Sequence, residues 1–203
     1  MPKLGKEFDE AQESTVGGGE FKRMEPGVYM CRIQAVQDEW ETSTGLQKAE
    51  DRQCVRVVVD VDEGDFAGEF SRDFYVGRDW MHACYMSWKP SGAGLLKHSL
   101  KALDEANPGF DSRAAFEADQ WMLFIGKRVL MGWNGQERTN DRGYTNVNVR
   151  PDRMLCEGDS FRPMVELERG GKVAWSDYQQ VNGQQSTAQA ATGAAYSSED
   201  VPF

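Results

Sequence analysis

The chain has 203 residues, a formal net charge of -10, 28% charged residues and 39% hydrophobic ones, enough for one domain of about 150 residues plus ends. No run approaches the roughly 18 apolar residues of a transmembrane helix, and the start MPKLGKEFDEAQES lacks the apolar stretch of an export signal, so the sequence reads as cytoplasmic. Residues 1–19 carry -2 and residues 176–203 carry -3, leaving -5 on the body, so any phosphate-binding site has to be a local basic patch on an acidic protein.

Residues 1–19 read as a flexible arm ending in Gly17-Gly18-Gly19. Glu25-Pro26-Gly27 is a turn signal, and the alternation after it predicts a strand over 28–36 with Tyr29, Cys31, Ile33 and Ala35 facing a core. A polar loop over 39–51 carries Trp40 and Lys48. A second strand over 52–61 sets Val55, Val57, Val59 and Val61 against Cys54, Arg56, Val58 and Asp60. Beyond Glu63-Gly64-Asp65 a third strand is predicted over 66–76, with Phe70, Phe74 and Val76 opposite Ser71, Asp73 and Tyr75.

Helical signals follow. A short helix is predicted over 78–88, where Trp80, Tyr85 and Trp88 are spaced for packing. Ser91 is the expected N-cap of a longer helix striped by Leu95, Leu96, Leu100 and Leu103, which stops at Asn107-Pro108-Gly109. Asp111 or Ser112 caps a further turn through residue 118. Strands four and five are predicted over 127–133 and 144–150, joined by a polar hairpin loop over 134–143. A last hairpin uses residues 164–167 and 173–175. The four cysteines are far apart with no C-x-x-C pair, as in a reduced protein with buried thiols.

Three strands, a helix and two strands is the connectivity of a mostly β fold, the five-stranded oligonucleotide-binding (OB) Greek-key barrel with its helix between strands three and four. The body is expected over 20–175. From Ser176 to Ser198 there is no Lys, Arg or apolar periodicity, so 176–203 reads as a disordered tether. Its tip is Glu199-Asp200-Val201-Pro202-Phe203, an aromatic ring and carboxylate beside two acids. Such a tip suits a pocket with an apolar floor and a basic rim.

Body, polar tether and acidic Pro-Phe tip resemble the bacterial single-stranded DNA-binding proteins. In that family the tip recruits replication and repair enzymes, which assigns Glu199, Asp200, Val201, Pro202 and Phe203 to partner binding. Residues 19–159 also resemble a phage and prophage family thought to bind single-stranded DNA. Its pieces here are Glu25-Pro-Gly-Val-Tyr29, Phe124-Ile-Gly-Lys-Arg128 and Tyr144-Thr-Asn-Val147. The resemblance implies a sequence-nonspecific single-stranded DNA-binding protein for phage replication or recombination, and a homo-oligomer is compatible with it.

Such binding needs aromatic faces for bases and a cationic track for phosphates. The positions that fit are Trp40, Lys48, Arg56, Tyr75, Arg138, Arg142, Tyr144, Asn146, Asn148 and Arg150. No catalytic motif, cofactor or metal is expected: His82 and Cys84 are two ligands only, and His98 is the other histidine. Two rivals remain at this stage. One is an OB-fold protein-interaction adaptor that does not bind DNA. The other is a metal-dependent nuclease using Asp60, Asp62 and Asp65.

Overall fold

The computed structural model describes residues 23–72, 75–141, 143 and 145–181. Its frame is a seven-stranded, mostly antiparallel sheet. Strand β1 (Gly27–Gln37) lies between β4 (Cys54–Val61) and β6 (Arg128–Thr139). Outside β4 runs β5 (Ala83–Ser87), and β7 (Thr145–Leu155) pairs with β6 along most of its length. Predicted strands one, two, four and five correspond to β1, β4, β6 and β7. Cys31 and Ile33 of β1 are buried as the alternation requires. Every residue of β4 after Cys54 is buried, on both faces. Trp133, Phe124, Ile33, Leu103 and Met131 are the largest side chains sealed in the core.

Among the described residues of 66–76 the third predicted strand does not form. The buried Asp60 carboxylate accepts the backbone N–H groups of Val61 (2.8 Å) and Phe70 (3.0 Å), and the Ser71 hydroxyl as well. These bonds hold Glu69–Ser71 as a 3-10 turn. Gly68 at φ 70° and Gly77 at φ 73° turn the chain through the left-handed region on either side. The strand that pairs with β4 is instead β5, where a short helix was predicted. There Cys84 and Met86 are buried while Tyr85 between them is exposed, a period of two.

The predicted polar loop over 39–51 is also more regular than expected. It forms the hairpin β2 (Glu39–Thr42) and β3 (Gly45–Lys48), then the single helical turn α1 (Ala49–Arg52). Helix α2 (Ala93–Ala106) follows a 3-10 turn over Pro90–Gly92, so Gly92 rather than Ser91 is its N-cap. Asn107 ends it: its amide donates to the carbonyls of Leu103 and Arg128, both at 2.8 Å, and its oxygen accepts from Arg128 N–H. Helix α3 (Ser112–Glu117) is capped by Asp111, which accepts from the Ala114 N–H at 2.9 Å.

Beyond Trp133, β6 continues through residues first read as a loop, and a new partner covers it there. β8 (Met164–Glu166) pairs parallel to β6 at Gly135 and Gln136, and β9 (Lys172–Ala174) completes the last predicted hairpin. Gly135 permits this: a Cβ on it would lie 2.5 Å from Val147 Cγ1 and 3.1 Å from Val165 Cγ2. Residues 176–181, expected as the start of the tether, are helical. Tyr178 stacks on Trp175 with ring centroids 5.7 Å apart, and its hydroxyl donates to Glu137 at 3.0 Å.

The closed five-stranded barrel expected from the sequence is not what the hydrogen bonding gives. β5 and β7 lie against each other, yet no ladder joins them among the described residues, and the sheet is open. No helix among the described residues is long and apolar enough to cross a membrane. The four cysteines are unpaired, and burial pushes the Cys31 and Cys84 thiols up to about 12.

Candidate nucleic-acid interface

A groove of about 500 Å³ opens between the turn after β4 and the first half of β7. Phe70, Arg72 and Tyr75 line one wall, and residues 146–149 of β7 line the other. Its floor is tied to the core through a column of rings. Phe70 lies between His82 (centroids 4.7 Å apart, planes 9° apart) and Trp133 (5.1 Å, 6°). Tyr75 meets Phe70 edge-on at 4.8 Å and is half-buried. Desolvation raises the Tyr75 phenol above its ordinary range, so it stays a neutral hydroxyl.

Polar groups rim this apolar floor. Arg23 donates to the Asn146 side chain, and Arg72 pairs with the largely buried Glu69 at 3.1 Å, its own guanidinium more than half exposed. Cross-strand register sets Arg138 opposite Asn146, Gln136 opposite Asn148 and Asn134 opposite Arg150, a polar row across β6 and β7. At the far end of that row the Arg150 guanidinium lies over the Trp80 ring at 5.6 Å. Trp80 is 53% exposed and Val76 is 74% exposed.

The structure thus brings together Tyr75, Asn146 and Asn148, with Arg138 in register and Arg150 beside Trp80. Three other predicted positions are spent elsewhere. Trp40 is 5% exposed, with Tyr85 against it at 5.8 Å, so its face is not open to a base. Arg56 is buried, bonded to Gln37 at 2.6 Å and paired with Asp79 at 3.8 Å. Lys48 pairs with Glu39 at 3.0 Å, a bond that raises its ammonium above the usual lysine value. Arg142, Tyr144 and the tip residues Glu199, Asp200, Val201, Pro202 and Phe203 lie outside the described residues.

Sequence reading missed Arg23, Arg72, Met81 and the exposure of Trp80. Arg23 precedes the first periodic segment, and Arg72 fell in the predicted third strand on the face given to Phe70 and Phe74; both sit in irregular segments. Trp80 was read as packing because its spacing from Tyr85 and Trp88 suits a helix. Of the acids weighed as a metal site, Asp60 is spent on the turn. Asp62 is gripped by Arg32 and Arg128, both at 2.7 Å. The Arg32 hydrogen bond is the main reason the Asp62 carboxyl sits below the usual carboxylate range.

No protein-family model matches the chain, and no curated protein matches it either.

Proposed function

We propose that the protein binds single-stranded DNA without sequence preference, in phage or prophage replication or recombination, and that its body is an OB-type barrel left open at one seam. The path β5-β4-β1-β6-β7, read in chain order as strands 3-2-1-4-5 with α2 between the third and fourth, is the OB order. The two ends of that path lie against each other.

The observation that carries the functional reading is the groove itself. It has an aromatic floor and mouth (Phe70, Tyr75), side-chain amides in its wall (Asn146, Asn148) and arginines at its rim (Arg23, Arg72). Aromatic faces accept any base, and arginines take the phosphates between them. The Arg150–Trp80 pair continues the same chemistry beyond the groove. In this reading the sequence 199–203 recruits replication or recombination enzymes, a role that rests on the sequence alone.

A second reading, a protein-interaction adaptor, is favoured by one observation. The body is acidic, and Lys48, Arg56 and Arg72 are each paired with a carboxylate. Fluorescence anisotropy of a labelled dT oligonucleotide at two salt concentrations, with duplex competitor, separates the two. Salt-sensitive binding that resists duplex and weakens in Tyr75→Ala supports the DNA reading. No binding at low salt, with or without residues 182–203, leaves the adaptor.

A further inference from the structure

Away from the groove, the fold brings one side chain of α2 against two from a turn nearly sixty residues further on, and all three are types that can ligate a metal. His98 projects from the middle of α2; Cys156 and Asp159 sit in the tight turn that follows β7. One ligand atom from each lies within 4.8 Å of the other two. The turn brings its two residues together by backbone bonding: Asp159 N–H donates to the Cys156 carbonyl at 3.2 Å, and Gly158 between them takes φ 86°. Asp159 Oδ2 then accepts from the Cys156 N–H at 2.7 Å and bonds His98 Nε2 at 2.8 Å. Glu105, two turns along α2 from His98, lies beside the Cys156 thiol.

We propose that His98, Cys156 and Asp159 bind a zinc ion that ties α2 to the turn after β7, with Glu105 as the nearest donor for the fourth position. The donor set is the argument. Thiolate, imidazole and carboxylate together suit zinc better than magnesium or calcium, which take oxygen ligands alone. Tetrahedral zinc holds its donors about 3.3–3.8 Å apart, so the present spacing closes by rotamer adjustment of side chains already in contact. His98 and Asp159 are each about one-third exposed (36% and 31%), which leaves a way in for the ion, while Cys156 lies beneath them.

A second feature fits a cation. Glu105 sets a second carboxylate beside Asp159, and it pairs with Lys101 at 3.3 Å, a contact the incoming ion would replace. Zinc is bound by the Cys156 thiolate, so the thiol proton leaves to solvent as the ion enters.

The test uses the full chain, reduced and stripped of metal, titrated with Co²⁺ as a spectroscopic stand-in. One equivalent should produce a thiolate-to-cobalt charge-transfer band and strong tetrahedral d–d bands, both bleached by Zn²⁺. Cys156→Ser should abolish the charge-transfer band, while Cys54→Ser, the partly exposed thiol elsewhere, should leave it intact. His98→Gln and Asp159→Asn should weaken binding by about 100-fold, and Glu105→Gln by about 10-fold. Zinc should raise the melting temperature of the parent chain and not of His98→Gln. His98→Gln, at a part-exposed site, keeps the test decisive where Cys156→Ser fails to fold. No band at stoichiometric cobalt, or bands unchanged in both Cys156→Ser and His98→Gln, would overturn the proposal and leave the three residues as a hydrogen-bonded latch.

Discussion

Tyr75 is the side chain on which the groove reading turns, because it presents the ring at the mouth while Phe70 behind it belongs to the core stack. Tyr75→Ala should weaken oligonucleotide binding by about 5–150-fold, the equivalent of one lost base stack of about 1–3 kcal/mol. Circular dichroism should show the fold intact, since Tyr75 is only half-buried. Asp60 has the opposite character: it touches no ligand, yet two backbone N–H groups and a hydroxyl depend on it. Asp60→Ala should cost about 1–3 kcal/mol in urea unfolding and loosen the wall carrying Phe70 and Tyr75. A loss of binding without a loss of stability would contradict that assignment.

Asp62 supplies a pH signature at the same scale. Its carboxyl is held below the ordinary value by the hydrogen bond from Arg32, with Arg128 adding to it. A depressed folded-state value means the stabilisation is present above the unfolded carboxylate range of about 4 and is lost as pH falls through the folded value. Melting temperature should therefore fall with acid below about pH 4, and less steeply in Asp62→Asn. Both arginines are about 40% exposed or more, so the effect is muted by solvent.

Among the elements, legibility followed from periodicity. Four of the five expected barrel strands were readable: alternation marks a strand that buries one face, as in Cys31 and Ile33, and a run of β-branched residues marks β4, which is buried on both. The third was misplaced for two physical reasons. The alternation of Phe70, Phe74 and Val76 with polar residues looks strand-like, but Asp60 and two left-handed glycines hold part of this stretch as turns. The true strand, Ala83–Ser87, is too short for its alternation to outweigh a helix-like spacing of aromatics. The site was half legible. Tyr75, Asn146 and Asn148 could be picked as types suited to bases, but nothing in the sequence says that Tyr85 covers Trp40 or that Gln37 and Asp79 take Arg56. The His98 cluster was invisible, since only the packing of α2 on the sheet brings His98 to the Cys156–Asp159 turn.

Gly135 is the element-scale hinge of this arrangement. It sits where β6 is flanked by β7 on one side and β8 on the other. Gly135→Ala would drive a methyl into Val147 Cγ1 and the Pro26 ring, the latter 3.0 Å away. The expected cost is about 1–3 kcal/mol in denaturant unfolding, with weaker DNA binding because Val147 lines the groove. A neutral substitution would mean that β7 can shift, and that the groove wall is softer than its packing implies.

Taken as a whole, the molecule sets a local cationic rim on a body of formal charge -5 within a chain of -10. Affinity should then fall only modestly with salt, since few phosphates are neutralised and the log–log slope is shallow compared with a basic protein of this size. Arg72→Ala or Arg138→Ala should each reduce that slope by about one unit at most. Unchanged slopes in both would move the phosphate track off this face.

The two stretches bordering the described body also meet at one place. Arg23, at its beginning, bonds Asn146 in the groove wall, and Gln179, near its end, reaches Glu25 at 3.5 Å while Tyr178 is fixed to Glu137 beside β7. The described body therefore begins and ends at the same corner, beside the groove. A label or surface linkage placed at residue 23 or 181 would crowd that opening, and a protein immobilised there would read as inactive with its binding face intact.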